Sequence, residues 1–125
     1  MRIKFQADAD LKHAVVAGCL RRAARMDFQR AEVVPLEGLA DPLVLGLAAQ
    51  AGRVLVSHHV STMGRYFCEF IQKQKSPGLI LIPQSRVSIR QAIDDLVFIW
   101  ELLNASDLEN RICLIPSLVI YQPTP

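Results

Sequence analysis

The sequence predicts an α/β fold with three layers (α/β/α). In this fold, helices cover both faces of a central, mainly parallel sheet of about five strands. Short, wholly apolar runs alternate with helix signals along the chain, as at residues 54–56, 79–82 and 112–115. Such runs are typical of strands that helices cover on both faces. Of the 125 residues, 51% are hydrophobic, so a single domain can bury a substantial core.

Caps and turn residues set the element boundaries in the first half of the chain. Asp10 is placed to cap the first helix, and Asp41 followed by Pro42 is typical of an N-cap and a first helical residue. Asp8 lies two residues too early for the first cap. The elements predicted here are a strand at about 2–7, a helix from Leu11 to about Met26, a strand around Ala31–Val34, a helix from Asp41 to about Gly52 and the strand Arg53–Ser57.

The second half continues the alternation. Residues 88–91 form a capping box, Ser-Ile-Arg-Gln, and apolar residues recur behind it at helical spacing as far as Leu103. The turn residues Ser76-Pro77-Gly78 separate a helix from a strand. The elements predicted here are a helix from about Thr62 to Gln74, the strand Leu79–Ile82, a helix that begins at Ser88 and the strand Arg111–Ile115.

We predict one domain over residues 1–116, followed by a C-terminal apolar tail at 117–125. The segment Ser117–Tyr121 is apolar and β-branched, and left exposed it would pair with other sheet edges. It either adds an edge strand in the same molecule or packs against a second copy. We favour a homodimer, because symmetric pairs are the commonest oligomers.

The composition argues against several classes of protein. No apolar run approaches the roughly 20 residues that span a bilayer, and no signal-peptide core stands at the N-terminus, so no membrane partner is expected. The three cysteines are far apart among apolar residues, which is typical of reduced thiols in a cytoplasmic protein rather than of a zinc site. Motifs of dinucleotide, P-loop and serine-hydrolase sites are absent from the sequence.

The charge is unevenly distributed along the chain. Residues 1–93 contain 13 Lys and Arg against 7 Asp and Glu, whereas residues 94–125 contain one Arg against 5 acids. A basic group that includes Arg21 and Arg22 lies at the end of the first predicted helix. Such a group either attracts phosphate backbone or forms a solvated face favoured by the helix dipole.

Polar side chains follow two of the predicted strands. Asp8 and Asp10 follow the first strand, His58 and His59 follow a later one, and Asp41 begins the helix that leads into that later strand. Ligands of open parallel sheets bind beyond the carboxyl ends of the strands. Grouped carboxylates there bind a hard cation such as Mg²⁺, which can activate water for phosphodiester cleavage. We therefore expect Asp8, Asp41 and His59 to converge at one edge of the sheet.

The same residues have a purely structural interpretation. Asp10 and Asp41 are each well placed as helix N-caps, and cap residues occur for that reason alone. Histidines at a strand end are usually solvated loop residues. On this interpretation only Asp8 remains without a structural explanation.

Three segments together carry a resemblance to a known family. They are Asp8-Ala9-Asp10 after the first strand, residues 41–45 followed by 48–59, and Pro77-Gly78-Leu79-Ile80. Their order and spacing resemble those of the small PIN-like domains of prokaryotic proteins of unknown function, which are relatives of the PIN-domain ribonucleases. The resemblance covers nearly the whole chain, from Met1 to about Pro116.

The resemblance implies a metal-dependent ribonuclease, with RNA as its substrate and a cognate antitoxin as the partner of a toxin component. Asp8, Asp41 and His59 are then the catalytic residues, and Asp8, Asp10 and Asp41 are the ligands of Mg²⁺ or Mn²⁺. Basic side chains would contact phosphate, and the candidates for that role are Arg65, Arg21 and Arg22.

Two residues depart from the pattern of the family. Ala9 stands where an acid is common, and His59 stands where the strand-end Asp is expected. A missing carboxylate removes a ligand and a negative charge, and imidazole binds Mn²⁺ but suits Mg²⁺ poorly. Either the metal preference has changed or catalysis has been lost, and we expect weak or no Mg²⁺-dependent ribonuclease activity.

Two alternative functions stay open. The first is an inactive PIN-like domain that binds nucleic acid or a protein. The second is a small-molecule-binding domain, because a fold does not fix a function.

Overall fold

The computed structural model describes residues 2–125; the predicted domain begins at Met1, which lies outside the described residues. These residues form six strands and five helices. In chain order they are β1 Lys4–Ala7, α1 His13–Arg22, β2 Asp27–Gln29, α2 Asp41–Gln50, β3 Val54–Ser57, α3 Val60–Ile71, β4 Leu79–Leu81, α4 Ile89–Leu102, α5 Ala105–Leu108, β5 Ile112–Leu114 and β6 Val119–Tyr121.

All six strands form one sheet with the order β2-β1-β3-β4-β5-β6. The first five pair in parallel, and β6 pairs antiparallel with β5. Helices α1 and α4 pack together on one face, and α2 and α3 pack together on the other. The predicted three-layer α/β fold with a mainly parallel sheet is therefore confirmed.

The apolar strands are buried on both faces, as their sequences predicted. In β3, Val54 and Val56 join the core beneath α1 and α4, whereas Leu55 joins the core beneath α2 and α3. Strand β4 repeats the alternation, with Ile80 on the first side and Leu79 on the second. Because successive side chains point to opposite faces, a continuous apolar run is what a strand covered on both sides requires.

The strand predicted around Ala31–Val34 is wrong. That segment forms turns, and β2 lies earlier, at Asp27–Gln29. The strand forms at 27–29 because Phe28 is buried there, with its ring centroid 5.2 Å from that of Phe5 on β1. The first helix consequently ends at Arg22, and Met26 is buried outside it.

Both predicted aspartate caps are wrong. The N-cap of α1 is Lys12 and that of α2 is Ala40, and neither makes a side-chain cap hydrogen bond. The side chains of Asp10 and Asp41 make contacts elsewhere. The predicted cap at Ser88 is confirmed, because Ser88 Oγ accepts a hydrogen bond from the Gln91 amide at 3.0 Å.

The C-terminal segment adds an edge strand to the same molecule. Residues Val119–Tyr121 form β6, yet these three residues stay 51%, 36% and 41% exposed. Burial against β5 is therefore incomplete, and self-association through this edge stays a prediction.

The three cysteines are free thiols. Burial raises the pKa of Cys19 to about 12 and that of Cys113 to about 11, so neither is a nucleophile at neutral pH. Across residues 2–125, none of the helices has both the length and the apolar character that crossing a bilayer demands.

Candidate functional site

The sheet reverses its strand order between β1 and β3. The chain leaves β1 through α1 to reach β2 on one side, then passes through α2 to reach β3 on the other. The carboxyl ends of β1 and β3 therefore border a topological switch point, where ligands of open α/β sheets bind. Both predicted polar segments lie at this end, which we call the carboxyl edge. The amide of Asp8 continues the pairing by donating to Val56 O at 2.9 Å.

Asp8 is buried at the centre of this edge and is only 7% exposed. Its Oδ2 accepts a hydrogen bond from Ser57 Oγ at 2.7 Å, and its Oδ1 accepts one from the Ala9 amide at 2.8 Å. Burial raises the pKa of Asp8, and the charges of Asp10 and Asp41 raise it further against these two bonds. The neighbouring carboxylates thus add to the effect of burial in disfavouring the ionised form of Asp8.

Asp10 reaches from the end of β1 to the end of β3. Its Oδ1 lies 3.3 Å from the donating amide of His58 and 3.5 Å from Ser57 Oγ. Ser57 therefore stands between two carboxylates, and it also accepts the amide of His59 at 2.9 Å. Ser57 is not among the site residues that the sequence predicted, although a hydroxyl residue ending an apolar strand beside Asp8 is a usable signal.

His58 has a positioning role. Its Nδ1 lies 2.9 Å from Ile82 O, and its Nε2 lies 3.4 Å from the amide of Lys12. A carbonyl oxygen only accepts, so these partners assign the proton to Nδ1 and leave Nε2 as the acceptor. The imidazole thereby connects the ends of β3 and β4 with the beginning of α1.

Asp41, His59 and Thr62 form a second cluster, which we call the Asp41 triangle. His59 Nδ1 lies 3.2 Å from Asp41 Oδ2, and His59 Nε2 lies 2.9 Å from Thr62 Oγ1. Thr62 Oγ1 also lies 3.3 Å from Asp41 Oδ2, which closes the triangle. The Asp41 side chain is 16% exposed and that of His59 is 46% exposed. Thr62 is not among the predicted site residues either, and its signal in the sequence is its position three residues after His59 at a helix start.

The predicted metal ligands do not form one metal-binding group. Asp8 and Asp10 share Ser57, whereas Asp41 is engaged by His59 and Thr62. Within residues 2–125, no three His, Cys, Asp or Glu side chains are grouped so that they could hold a metal ion. The donor set at the carboxyl edge therefore does not fit a cation held by three side chains.

The predicted phosphate-contacting arginines lie in different places. Arg65 is exposed in the second turn of α3, with its guanidinium carbon 5.2 Å from the Tyr66 ring centroid. Arg21 and Arg22 lie in the last turn of α1. Because α1 carries the chain from the carboxyl end of β1 to the beginning of β2, its last turn lies at the opposite edge from Asp8.

An open groove of about 680 Å³ adjoins the carboxyl edge, beside Asp10. Three acids line it, Asp10, Glu32 and Glu37, and His13 faces Glu32 at 3.1 Å. A groove with this balance of charge disfavours phosphate unless something positive enters with it.

Comparison with known proteins gives no matching family model, no similar curated protein and no similar solved structure. The resemblance to PIN-like domains therefore stays a prediction that depends on the three sequence segments described above.

Proposed function

We propose that the protein is a nuclease-type α/β domain that binds nucleic acid without metal-dependent cleavage, the inactive PIN-like alternative. The Asp41 triangle is the observation that carries this proposal. In a nuclease-type site the carboxylates are held together by the cation they share. Here the imidazole of His59 and the hydroxyl of Thr62 take the place of that cation beside Asp41.

The chemistry of imidazole explains how His59 and Thr62 can hold the Asp41 carboxylate by hydrogen bonds alone. With Nδ1 donating to Asp41, the protonated ring donates from Nε2 to Thr62 Oγ1, whose own proton then goes to Asp41. In the neutral ring, that one hydroxyl proton goes either to Nε2 or to Asp41. A carboxylate at position 59 would instead repel Asp41, and a shared cation would relieve that repulsion. The resemblance expects that carboxylate, so His59 marks the change from a metal site to a closed hydrogen-bond network.

The choice of nucleic acid as the ligand has separate support. Residues 1–93 carry almost twice as many basic as acidic residues, and a basic excess favours phosphate backbone. The resemblance to relatives of ribonucleases adds to this support.

Metal titration is the direct test. Calorimetry with Mg²⁺ and Mn²⁺ should give weak or no binding to the unaltered protein. His59→Asp should bind Mg²⁺ at least about tenfold more tightly, because it replaces the imidazole that engages Asp41 with a second carboxylate beside it. The matched control is His59→Asn, which also removes the imidazole but adds no charge and should gain nothing.

A cleavage assay on labelled RNA completes the test. The unaltered protein should show no Mg²⁺-dependent cleavage above that of Asp8→Asn. Tight Mg²⁺ binding by the unaltered protein, or cleavage that Asp8→Asn abolishes, would replace this proposal with the metal-dependent ribonuclease.

A further inference from the structure

The end of the sheet opposite to Asp8, where β1 to β5 begin, is rich in exposed cations. We call it the amino edge. Parallel topology brings every connection that precedes a strand to this end, so residues far apart in sequence become neighbours there. Six exposed residues of these connections, of the last turn of α1 and of the beginning of β1 form what we call the basic edge: Arg2, Lys4, Arg21, Arg25, Lys73 and Lys75.

Most cations of the basic edge are not neutralised by the protein. The described residues give no ion pair to Lys4, Arg21, Arg25 or Lys73, and Lys75 faces Glu109 at 3.5 Å with both side chains largely exposed. These charges therefore make no ion pair that would explain them structurally, and they are available to an anionic partner.

Other charges at the amino edge are already paired. Arg22 pairs with Asp94, and Arg53 pairs with Asp27 at 2.6 Å. Among the acids of this end, Asp107 accepts the amide of Asn104. The remaining acids, Glu69 and Glu101, lie in the last turns of α3 and α4. Positive charge therefore exceeds negative charge at this edge.

The basic edge has the dimensions of a short length of nucleic-acid backbone. Its residues precede or begin β2, β1 and β4, which are separated by three strand spacings in the sheet. Three spacings of ~4.8 Å make about 14 Å, the length of axis over which one strand of a duplex presents roughly four phosphates, at ~3.4 Å of axial rise each. An open groove of about 610 Å³ adjoins it at Lys4 and Lys75, with Glu109 as the one acid among its lining residues.

We infer that the basic edge binds the phosphate backbone of RNA, and this inference rests on the proposed function. Phosphate contacts of lysine and arginine position a nucleic acid without reading its sequence. The acidic groove at the carboxyl edge disfavours the same ligand. A bilayer surface fits less well, because interfacial binding buries an apolar face, whereas the basic edge is grooved and charged.

Charge removal tests the inference with the full chain. The probe is a fluorescein-labelled oligouridine, and its anisotropy reports binding over salt concentrations from about 50 to 200 mM. The triple variant Lys4→Gln, Arg25→Gln, Lys73→Gln removes three exposed, unpaired cations. It should weaken binding at least about tenfold and reduce the slope of log K against log salt by about 2, because each contact to a single strand contributes ~0.7.

A matched variant removes three exposed cations from the carboxyl edge: Lys12→Gln, Arg86→Gln, Arg90→Gln. It has the same net charge as the first variant and should bind within about twofold of the unaltered protein. Circular dichroism should show both variants folded.

The outcomes separate this inference from the proposed function. If both triple variants weaken RNA binding equally, or the carboxyl-edge variant weakens it more, the basic edge is not the binding surface. The proposed binding of nucleic acid would still stand. Absence of RNA binding by the unaltered protein, with salt-sensitive binding to phosphatidylglycerol vesicles instead, would overturn both.

Discussion

The carboxyl edge and the amino edge of the sheet differ in whether their charged side chains have partners within the protein. At the carboxyl edge, the carboxylates of Asp8 and Asp41 are held by hydroxyl, amide and imidazole groups of the same molecule. At the amino edge, cations such as Lys4 and Lys73 extend into solvent without an ion-pair partner among the described residues. Charged groups that have a hydrogen-bond or ion-pair partner within the protein stabilise its structure. Charged groups without such a partner are available to bind another molecule.

This comparison separates two properties that the resemblance had combined. A nuclease-type site places its acids and its phosphate-binding cations together. Here the acids lie at the switch point, and the largest group of free cations lies at the far end of the strands. The proposed phosphate-binding cations and the acids of the carboxyl edge are therefore separable by mutation.

The largest expected effect tests whether the amino edge is a rigid support. Gly78 has φ +130°, and a Cβ there would lie 2.5 Å from the carbonyl oxygen of Leu108. Gly78→Ala should lower the free energy of unfolding by about 3 kcal/mol or more, because backbone strain adds to a backbone clash. Urea denaturation followed by Trp100 fluorescence measures it.

The control for this prediction is Gly38→Ala, in the loop before α2. Gly38 has φ +81° but open space around a Cβ, so only strain of about 1 kcal/mol is expected. Equal losses for the two variants would show that Leu108 yields and that the amino edge is not rigid.

The next prediction concerns the pH dependence of the carboxyl edge. Burial raises the pKa of Asp8 above the ordinary 3.8, so the folded state binds this proton more tightly than the unfolded state. That contribution to stability is present below pH 3.8 and is lost as the pH rises through the raised pKa. Asp8→Asn should therefore have a higher melting temperature than the unaltered protein at neutral pH, with the difference disappearing in acid.

Asp27→Asn provides the matched change at the amino edge. Its side chain is 49% exposed and paired with Arg53, so it should lose no more than about 1 kcal/mol at neutral pH and gain nothing. A neutral-pH loss of stability in Asp8→Asn would show that the ionised carboxylate stabilises the switch point.

A smaller effect is expected from opening the Asp41 triangle. Thr62→Val keeps the shape of the side chain but removes the hydroxyl that contacts Asp41 and His59. The expected cost is about 1 kcal/mol of unfolding free energy, the value of a typical hydrogen bond. Thr124→Val, an exposed change near the C-terminus, should be nearly neutral, and an equal response would remove the triangle from the list of stabilising contacts.

The smallest effect is expected for the pair Lys75–Glu109. The two side chains are 74% and 45% exposed, so a double-mutant cycle with Lys75→Gln and Glu109→Gln should give a coupling below about 0.5 kcal/mol. A coupling above 1 kcal/mol would mean that Lys75 has a structural role and is not free for phosphate.

The sequence by itself determined the layers of this protein and the edge at which its polar residues meet. The run Val54–Val56 required burial on both faces, which only a strand between two helical layers satisfies. Parallel strands end at the same edge, so Asp8 and His59 had to lie at one end once both strands were recognised. These conclusions depend on the hydrophobic periodicity of each segment and on the helices that connect successive strands, both of which can be read from the sequence.

Only the tertiary structure decided which polar groups meet. Asp41 is the first residue of α2 rather than its cap, and its partners, His59 and Thr62, come from the beginning of α3. Hydrogen bonds and ion pairs depend on distances between separate segments, and packing of the helices sets those distances.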